Sequence, residues 1–180
     1  IVAFLLYLNN YAKHHKQMKI QIPDSDQKRV VIIGGGFAGL TLASKLTKKK
    51  FQVVLIDKNN YHQFQPLLYQ VASAGLELDS ISFPFRKFFV KKKGFYFRLA
   101  EVLDIVHEES RIETSIGALN YDYLVIAAGT TTNYYGNNEM EEKAIPMKSV
   151  EESLMLRNRL LLNFEKALDC KTEQERNSLL

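Results

Sequence analysis

A single cysteine, no tryptophan and four prolines among 180 residues exclude several chemistries at the outset. Cys170 alone permits no intrachain disulfide, no C-x-x-C redox pair and no cysteine-based zinc site, and it suits a reducing compartment. It reads as a small residue on an amphipathic helix. The histidines His14, His15, His62 and His107 share no ligand spacing on one element, so no metal centre is expected. No apolar run reaches the roughly 20 residues that a membrane span needs. The N-terminal IVAFLLYL is far shorter and reads as the cut end of something longer; no basic stretch precedes it, as a signal peptide would require. Excess charge of one sign is also small. The net charge is +4, the basic residues are scattered and no RNA-binding signature accompanies them, so nucleic acid is not an expected partner.

The composition that remains, 46% hydrophobic and 24% charged, is that of an ordinary globular protein of one domain, or of one domain and part of another. The segment from Asn9 to Lys28 is polar, contains Pro23 and reads as a linker or extension. After it comes RVVIIGGGFAGLTLASKL, from Arg29 to Leu46. Val30, Val31, Ile32 and Ile33 form a β-branched run without alternation, which suits a strand buried on both faces of a parallel sheet.

Gly34, Gly36 and Gly39 then stand at the G-x-G-x-x-G spacing. The first permits a tight turn, the second lets a pyrophosphate approach the backbone, and the third lets the following helix pack against the strand. Leu40, Leu42, Ala43 and Leu46 recur at helical spacing, and a helix is expected from Phe37 to Lys50, closed by Lys48, Lys49 and Lys50. A second buried strand, FQVVLID, ends at Asp57, 18 residues past Gly39; a ribose-binding acid is expected roughly 20 residues on. Its carboxylate would accept hydrogen bonds from adenosine ribose hydroxyls and repel a 2′-phosphate, which makes NADP the poorest occupant. Lys58 beside it could meet a 2′-phosphate, but it reads first as a solvated strand-end lysine.

Farther along, ISFPFRKFFVKKKG (Ile81 to Gly94) offers Pro84 as a helix start and a basic stretch ending at glycine. The stretch from Phe95 to Thr131 reads as three short strands, with turns at Glu108, Glu109 and Ser110 and near Asn120. The last strand, Leu124 to Ala127, looks buried and parallel. A small antiparallel meander thus precedes the closing strand. Val150 to Leu168 has mixed charge on an amphipathic pattern and reads as a packing helix, not a membrane-lying one.

Taken in order, VVIIGGGFAGL, IDKNNYHQFQPLLYQVA, FPFR and YDYLVIAAGTTTNYYG resemble the N-terminal half of the type II, non-proton-pumping NADH:quinone dehydrogenases. AIPMKSVEESLMLRNRLLLNFEKA and QERNSLL resemble what precedes that family's NADH-binding domain. The resemblance runs from Lys28 to Leu180, and FQPLLYQVA is its most specific piece. It implies an α/β fold with a Rossmann-type FAD-binding domain: a central parallel sheet, flanking helices and a small antiparallel meander, cut off before a second dinucleotide domain. The domain reading is an extension or linker over 1–27, the first part of the FAD-binding domain over 28–149, and a helical segment over 150–180.

Carried over residue by residue, the resemblance implies that Gly34, Gly36, Phe37, Ala38 and Gly39 surround the FAD pyrophosphate and that Asp57 holds the adenosine ribose, flanked by Lys58 and Asn59. Gln65 and Pro66 would lie farther along the cofactor. Val102 resembles the residue whose backbone meets adenine. Ala128, Gly129 and Thr130 match the family's A-T-G turn, with Ala128 standing where threonine is common. Tyr61, His62 and Phe64 fit flavin contact or cover of the sheet edge equally well.

Between Gly39 and Leu180 no second G-x-G-x-x-G occurs. No catalytic residue is therefore assigned, and the chain alone is expected to bind FAD weakly or not at all and to show no NADH:quinone turnover. The resemblance implies NADH and a quinone as substrates at sites outside these residues. It also implies contact with the cytoplasmic face of the cell membrane through a C-terminal region, and it allows a homodimer. Two rival readings remain: another two-dinucleotide flavoprotein, such as a sulfide:quinone or disulfide reductase, and a nucleotide-holding module without turnover.

Overall fold

A computed structural model describes residues 19–179; the IVAFLLYL stretch lies outside the described residues. In chain order its elements are β1 (Arg29–Ile33), α1 (Phe37–Leu46), β2 (Gln52–Asp57), β3 (Tyr61–Gln63), α2 (Leu68–Ala72), β4 (Ser82–Pro84), α3 (Phe85–Phe88), β5 (Phe95–Leu99), β6 (Val102–Val106), β7 (Arg111–Thr114), β8 (Gly117–Asn120), β9 (Tyr123–Ile126), α4 (Asn138–Lys143), α5 (Val150–Leu168) and α6 (Glu173–Leu179). They fall into two compact units. The first takes the chain up to His62 and Pro84–Gly129; the second takes Gln63–Phe83 and the residues from Thr130 onward.

In the first unit a parallel sheet runs in the order β5-β2-β1-β9. The β-branched runs bury both faces of the central strands, as parallel strands do. Val30, Ile32, Val53 and Leu55 pack with Ala43, Phe85, Phe89 and Phe97 on one face. Val31, Val54 and Ile56 pack with Ile112 and Leu119 of the meander β6-β7-β8 on the other. Each large side chain so buried stabilises the unit by about 1.5–3 kcal/mol. The register sets Ile33 beside both Ile56 and Ile126. The chain therefore leaves β1, β2 and β9 at one common end, where ligands of open α/β sheets bind.

Several expectations change. The first helix stops at Leu46, not Lys50, because no apolar residue remains to bury between Leu46 and Phe51. Instead, the Lys48 and Lys49 N–H groups turn back to the Lys45 and Leu46 carbonyls. The helix after Pro84 lasts a single turn. Lys91 turns left-handed, with φ 66°, and Phe89 stacks at 3.6 Å on Phe95 instead of continuing a helix.

Five strands, not three, lie between Phe95 and Ile126, because β5 pairs with β2 before the meander begins. Finally, among the described residues β9 is an edge strand with one neighbour, so Ile126 is 68% exposed where the run Leu124 to Ala127 was expected to be buried. The expected linker is also tied down at its end. Ile20 donates to Ala118 O at 3.0 Å and is buried with Val31 and Ile112, and Pro23 O accepts from Gln52 Nε2 at 2.7 Å.

In the second unit α5 spans Val150–Leu168 as expected and packs on α2. A capping box starts it: Glu152 N–H donates to Ser149 Oγ at 3.2 Å, and Glu152 Oε2 accepts from Ser149 N–H at 2.9 Å. Such a box fixes the first turn by satisfying two end donors at once. Cys170 sits just past the helix, not on it, its Sγ donating to Lys166 O. Among the described residues no helix is long and apolar enough to cross a membrane.

Candidate functional site

The glycine-rich turn is built by three backbones in close approach. Gly34 adopts φ 97°, and its N–H donates to Ile56 O at 2.8 Å. A Cβ there would collide with the Ala127 carbonyl. Only glycine meets both demands. At Gly39 a Cβ would strike the Gly34 carbonyl oxygen, so this glycine sets how closely α1 approaches β1. Gly36 is the N-cap of α1 and has no side-chain cap, and its carbonyl accepts from Leu40 N–H at 2.9 Å.

Among the described residues, no atom beyond its own chain neighbours lies within 4 Å of where a Cβ on Gly36 would stand. Gly36, Phe37 and Ala38 are all exposed. The N-terminus of a ten-residue helix is thus exposed among the described residues, with no acidic residue in its first turn. Its orphan N–H groups and dipole favour an anion, and phosphate is the common occupant.

Asp57, at the end of β2, closes the other side. Its Oδ2 accepts from Gly35 N–H at 2.6 Å and its Oδ1 from Asn59 N–H at 2.7 Å. An ionised carboxylate has about four acceptor positions, so room remains for hydroxyl donors after both backbone bonds are made. Lys58 is exposed and Asn59 half-buried. At the end of β9, Ala127 N–H donates to Ile33 O at 2.8 Å. Ala128 and Gly129 follow, both exposed, with Gly129 at φ 76° and open space around it. The turns after β1, β2 and β9 therefore share one end of the sheet. β5 leaves the sheet at this same end, where Ala100 N–H donates to Asp57 O at 3.0 Å; Val102, two residues on, is paired with Thr114 and packed against the second face of the core.

Gln65, Pro66 and Thr130 belong to the second unit. Gln65 and Pro66 open a 3-10 turn, and Lys148 organises this group. Its carbonyl accepts from Gln63 Nε2 at 2.8 Å and from Gln65 Nε2 at 3.0 Å, while its ammonium donates to Thr130 Oγ1 at 2.8 Å.

Two residues important to the geometry escape the sequence reading. Gly35 occupies a variable position of the fingerprint, yet a Cβ there would enter the buried Phe85 ring; the triple glycine was the available signal. Lys148 carried no signal beyond lying just before the capping box. His62, left open between two roles, is buried, with Nδ1 3.0 Å from Gly35 O.

The clearest electrostatic pair lies at the opposite ends of the strands. Lys28 Nζ donates to Asp122 Oδ1 at 2.8 Å, and Arg29 N–H donates to Asp122 Oδ2 at 2.7 Å. The bond to Lys28, and then that to the Arg29 backbone, hold the Asp122 carboxyl below its usual range. The bond to Asp122 raises the Lys28 ammonium above its own.

Residues 28–162 match the family described as pyridine nucleotide-disulphide oxidoreductase. The chain is 37% identical over 156 residues to the type II NADH:quinone oxidoreductase Ndh of Mycobacterium tuberculosis, covering 84% of this chain and 34% of that protein. It thus spans about a third of the length of such curated relatives. Among solved structures, NDH2 of Plasmodium falciparum in complex with NADH matches with a TM-score of 0.76 at 29% identity, over 83% of this chain and 32% of that one. The sulfide:quinone oxidoreductase of Aquifex aeolicus matches with a TM-score of 0.68 at 26% identity, over 77% of this chain and 32% of that one.

Proposed function

We propose, starting from a chain that belongs to the pyridine nucleotide-disulphide oxidoreductase family, that these residues hold the adenosine diphosphate half of FAD in a protein passing electrons from NADH to a quinone. The observation that carries this reading is the pairing of an open, uncapped helix N-terminus at Gly36 with a carboxylate at Asp57, both at the exit end of a parallel sheet. Quinone and NADH are taken from two relatives, the NADH:quinone oxidoreductase of Mycobacterium tuberculosis and NDH2 of Plasmodium falciparum in complex with NADH.

The residues fit the group. The pyrophosphate would lie against Gly34, Gly36, Phe37, Ala38 and Gly39, where the helix end offers N–H donors and a positive dipole worth about 0.3–1 kcal/mol toward an anion. Asp57 would accept from the ribose hydroxyls, with Lys58 and Asn59 at its flanks. The backbone of Val102 is assigned to adenine, Ala128, Gly129 and Thr130 to the dinucleotide, and Gln65 and Pro66 to positions farther along it. When bound, FAD supplies the two-electron redox chemistry that joins a hydride donor to a quinone.

In the same reading residues 28–149 are the first part of the FAD-binding domain and 150–180 lead toward an NADH-binding domain. The protein works at the cytoplasmic face of the cell membrane, where a quinone is delivered from lipid, and the reading allows a homodimer. The test is an assay of the full-length protein with NADH and a soluble quinone, following NADH absorbance. Quinone-dependent loss of NADH supports the reading, and oxidation of neither NADH nor NADPH sinks it.

A further inference from the structure

We infer that His62 is a positioning residue for the pyrophosphate, acting through the peptide that joins Gly35 to Gly36; this rests on reading the cradle as the FAD site. A carbonyl oxygen only accepts. The His62 Nδ1 that stands 3.0 Å from Gly35 O therefore carries a hydrogen and donates it. The imidazole is 6% exposed and is held by two rings edge-on, Phe37 at 5.2 Å and Phe88 at 6.1 Å between centroids. The donor is thus fixed in place by packing.

The need for such a donor follows from the sequence. Three consecutive glycines, Gly34 to Gly36, form the segment of chain with the greatest backbone freedom, and a peptide within it can rotate unless both its neighbours and its own polar groups are held. Gly35 is held at both ends: its N–H by Asp57 at 2.6 Å and its carbonyl by His62. In a trans peptide the C=O and the next N–H point in opposite directions, and no peptide of the described chain is cis. Binding the Gly35 carbonyl to the buried ring therefore turns the Gly36 N–H away from that ring. Gly36 itself borders the open space at the helix end. His62 and Asp57 thus preset the donor before any anion arrives, sparing the ligand that ordering.

The test uses the full-length protein stripped of flavin and titrated with FAD. His62→Leu removes the donor but keeps bulk, and FAD should bind roughly tenfold more weakly, the scale of one lost hydrogen bond. His62→Asn places an amide N–H near the position of Nδ1 and should recover most of that loss. Long-range proton–nitrogen NMR of the unmutated protein should find a proton on His62 Nδ1 with and without FAD, and this decides the matter if the leucine variant does not fold. Equal FAD affinity of the leucine and unmutated proteins, or a His62 protonated only at Nε2, overturns the inference and leaves the FAD reading intact. An unmutated protein that takes up no FAD overturns both.

Discussion

The ring of Phe85 fills the space that a Cβ on Gly35 would need. Phe85 is itself 1% exposed and lies 5.0 Å from the ring of Phe97, so it cannot swing aside. Gly35→Ala should then overpack the core beneath the cradle and destabilise the protein by about 1–3 kcal/mol, read as a lower midpoint in denaturant. An unchanged midpoint would mean that Phe85 repacks freely.

Gly36→Val has the opposite profile. Its side chain would project into open space, so the fold should survive with a melting temperature close to that of the unmutated protein. FAD should no longer bind, because the branched side chain takes the volume of the pyrophosphate. A yellow, flavin-loaded variant would place the phosphates elsewhere.

For Asp57→Ala two effects combine. The substitution frees the Gly35 and Asn59 N–H groups that the carboxylate now holds and removes the acceptor assigned to the ribose. FAD affinity should fall by about 1–3 kcal/mol, the scale of losing charged hydrogen bonds, as measured by fluorescence titration. Asp57→Asn, which keeps one acceptor, should fall between the two, and an affinity equal to the unmutated protein's in both would leave Asp57 a strand-end residue only.

Much of this local structure is legible in the sequence. The glycine spacing, the β-branched strands and Asp57 all obey short-range rules, and each lies where those rules put it. What was not legible depends on long-range neighbours. That Ile126 is exposed depends on β9 having one partner among the described strands, which an apolar run cannot reveal. The short helix at Phe85 follows from Phe89 finding Phe95, a pairing across a left-handed turn. Gly35 looks optional in the fingerprint, and only Phe85, fifty residues away in sequence, makes it obligatory.

The Lys28–Asp122 pair offers a pH test of the sheet's other end. The Asp122 carboxyl is held low in the fold, so its contribution is present above the unfolded carboxylate pKa of about 4 and is lost as pH falls through the lower folded value. The Lys28 ammonium is held high, so its contribution is present below about 10.4 and is lost as pH rises through the folded value. Both groups are exposed, so the effect is small. The denaturant midpoints of Lys28→Ala and the unmutated protein should differ at neutral pH and converge in acid below the carboxylate range. A gap that widens in acid would contradict the assignment.

Identifying the nucleotide released when the purified full-length protein is denatured tests the central claim most directly. The glycine turn and the Asp57 carboxylate together call for a ligand with both a pyrophosphate and an adenosine ribose, so the account predicts FAD, close to one per chain. FMN carries neither group, and its recovery as the only flavin would contradict the assignment of Gly36 and Asp57.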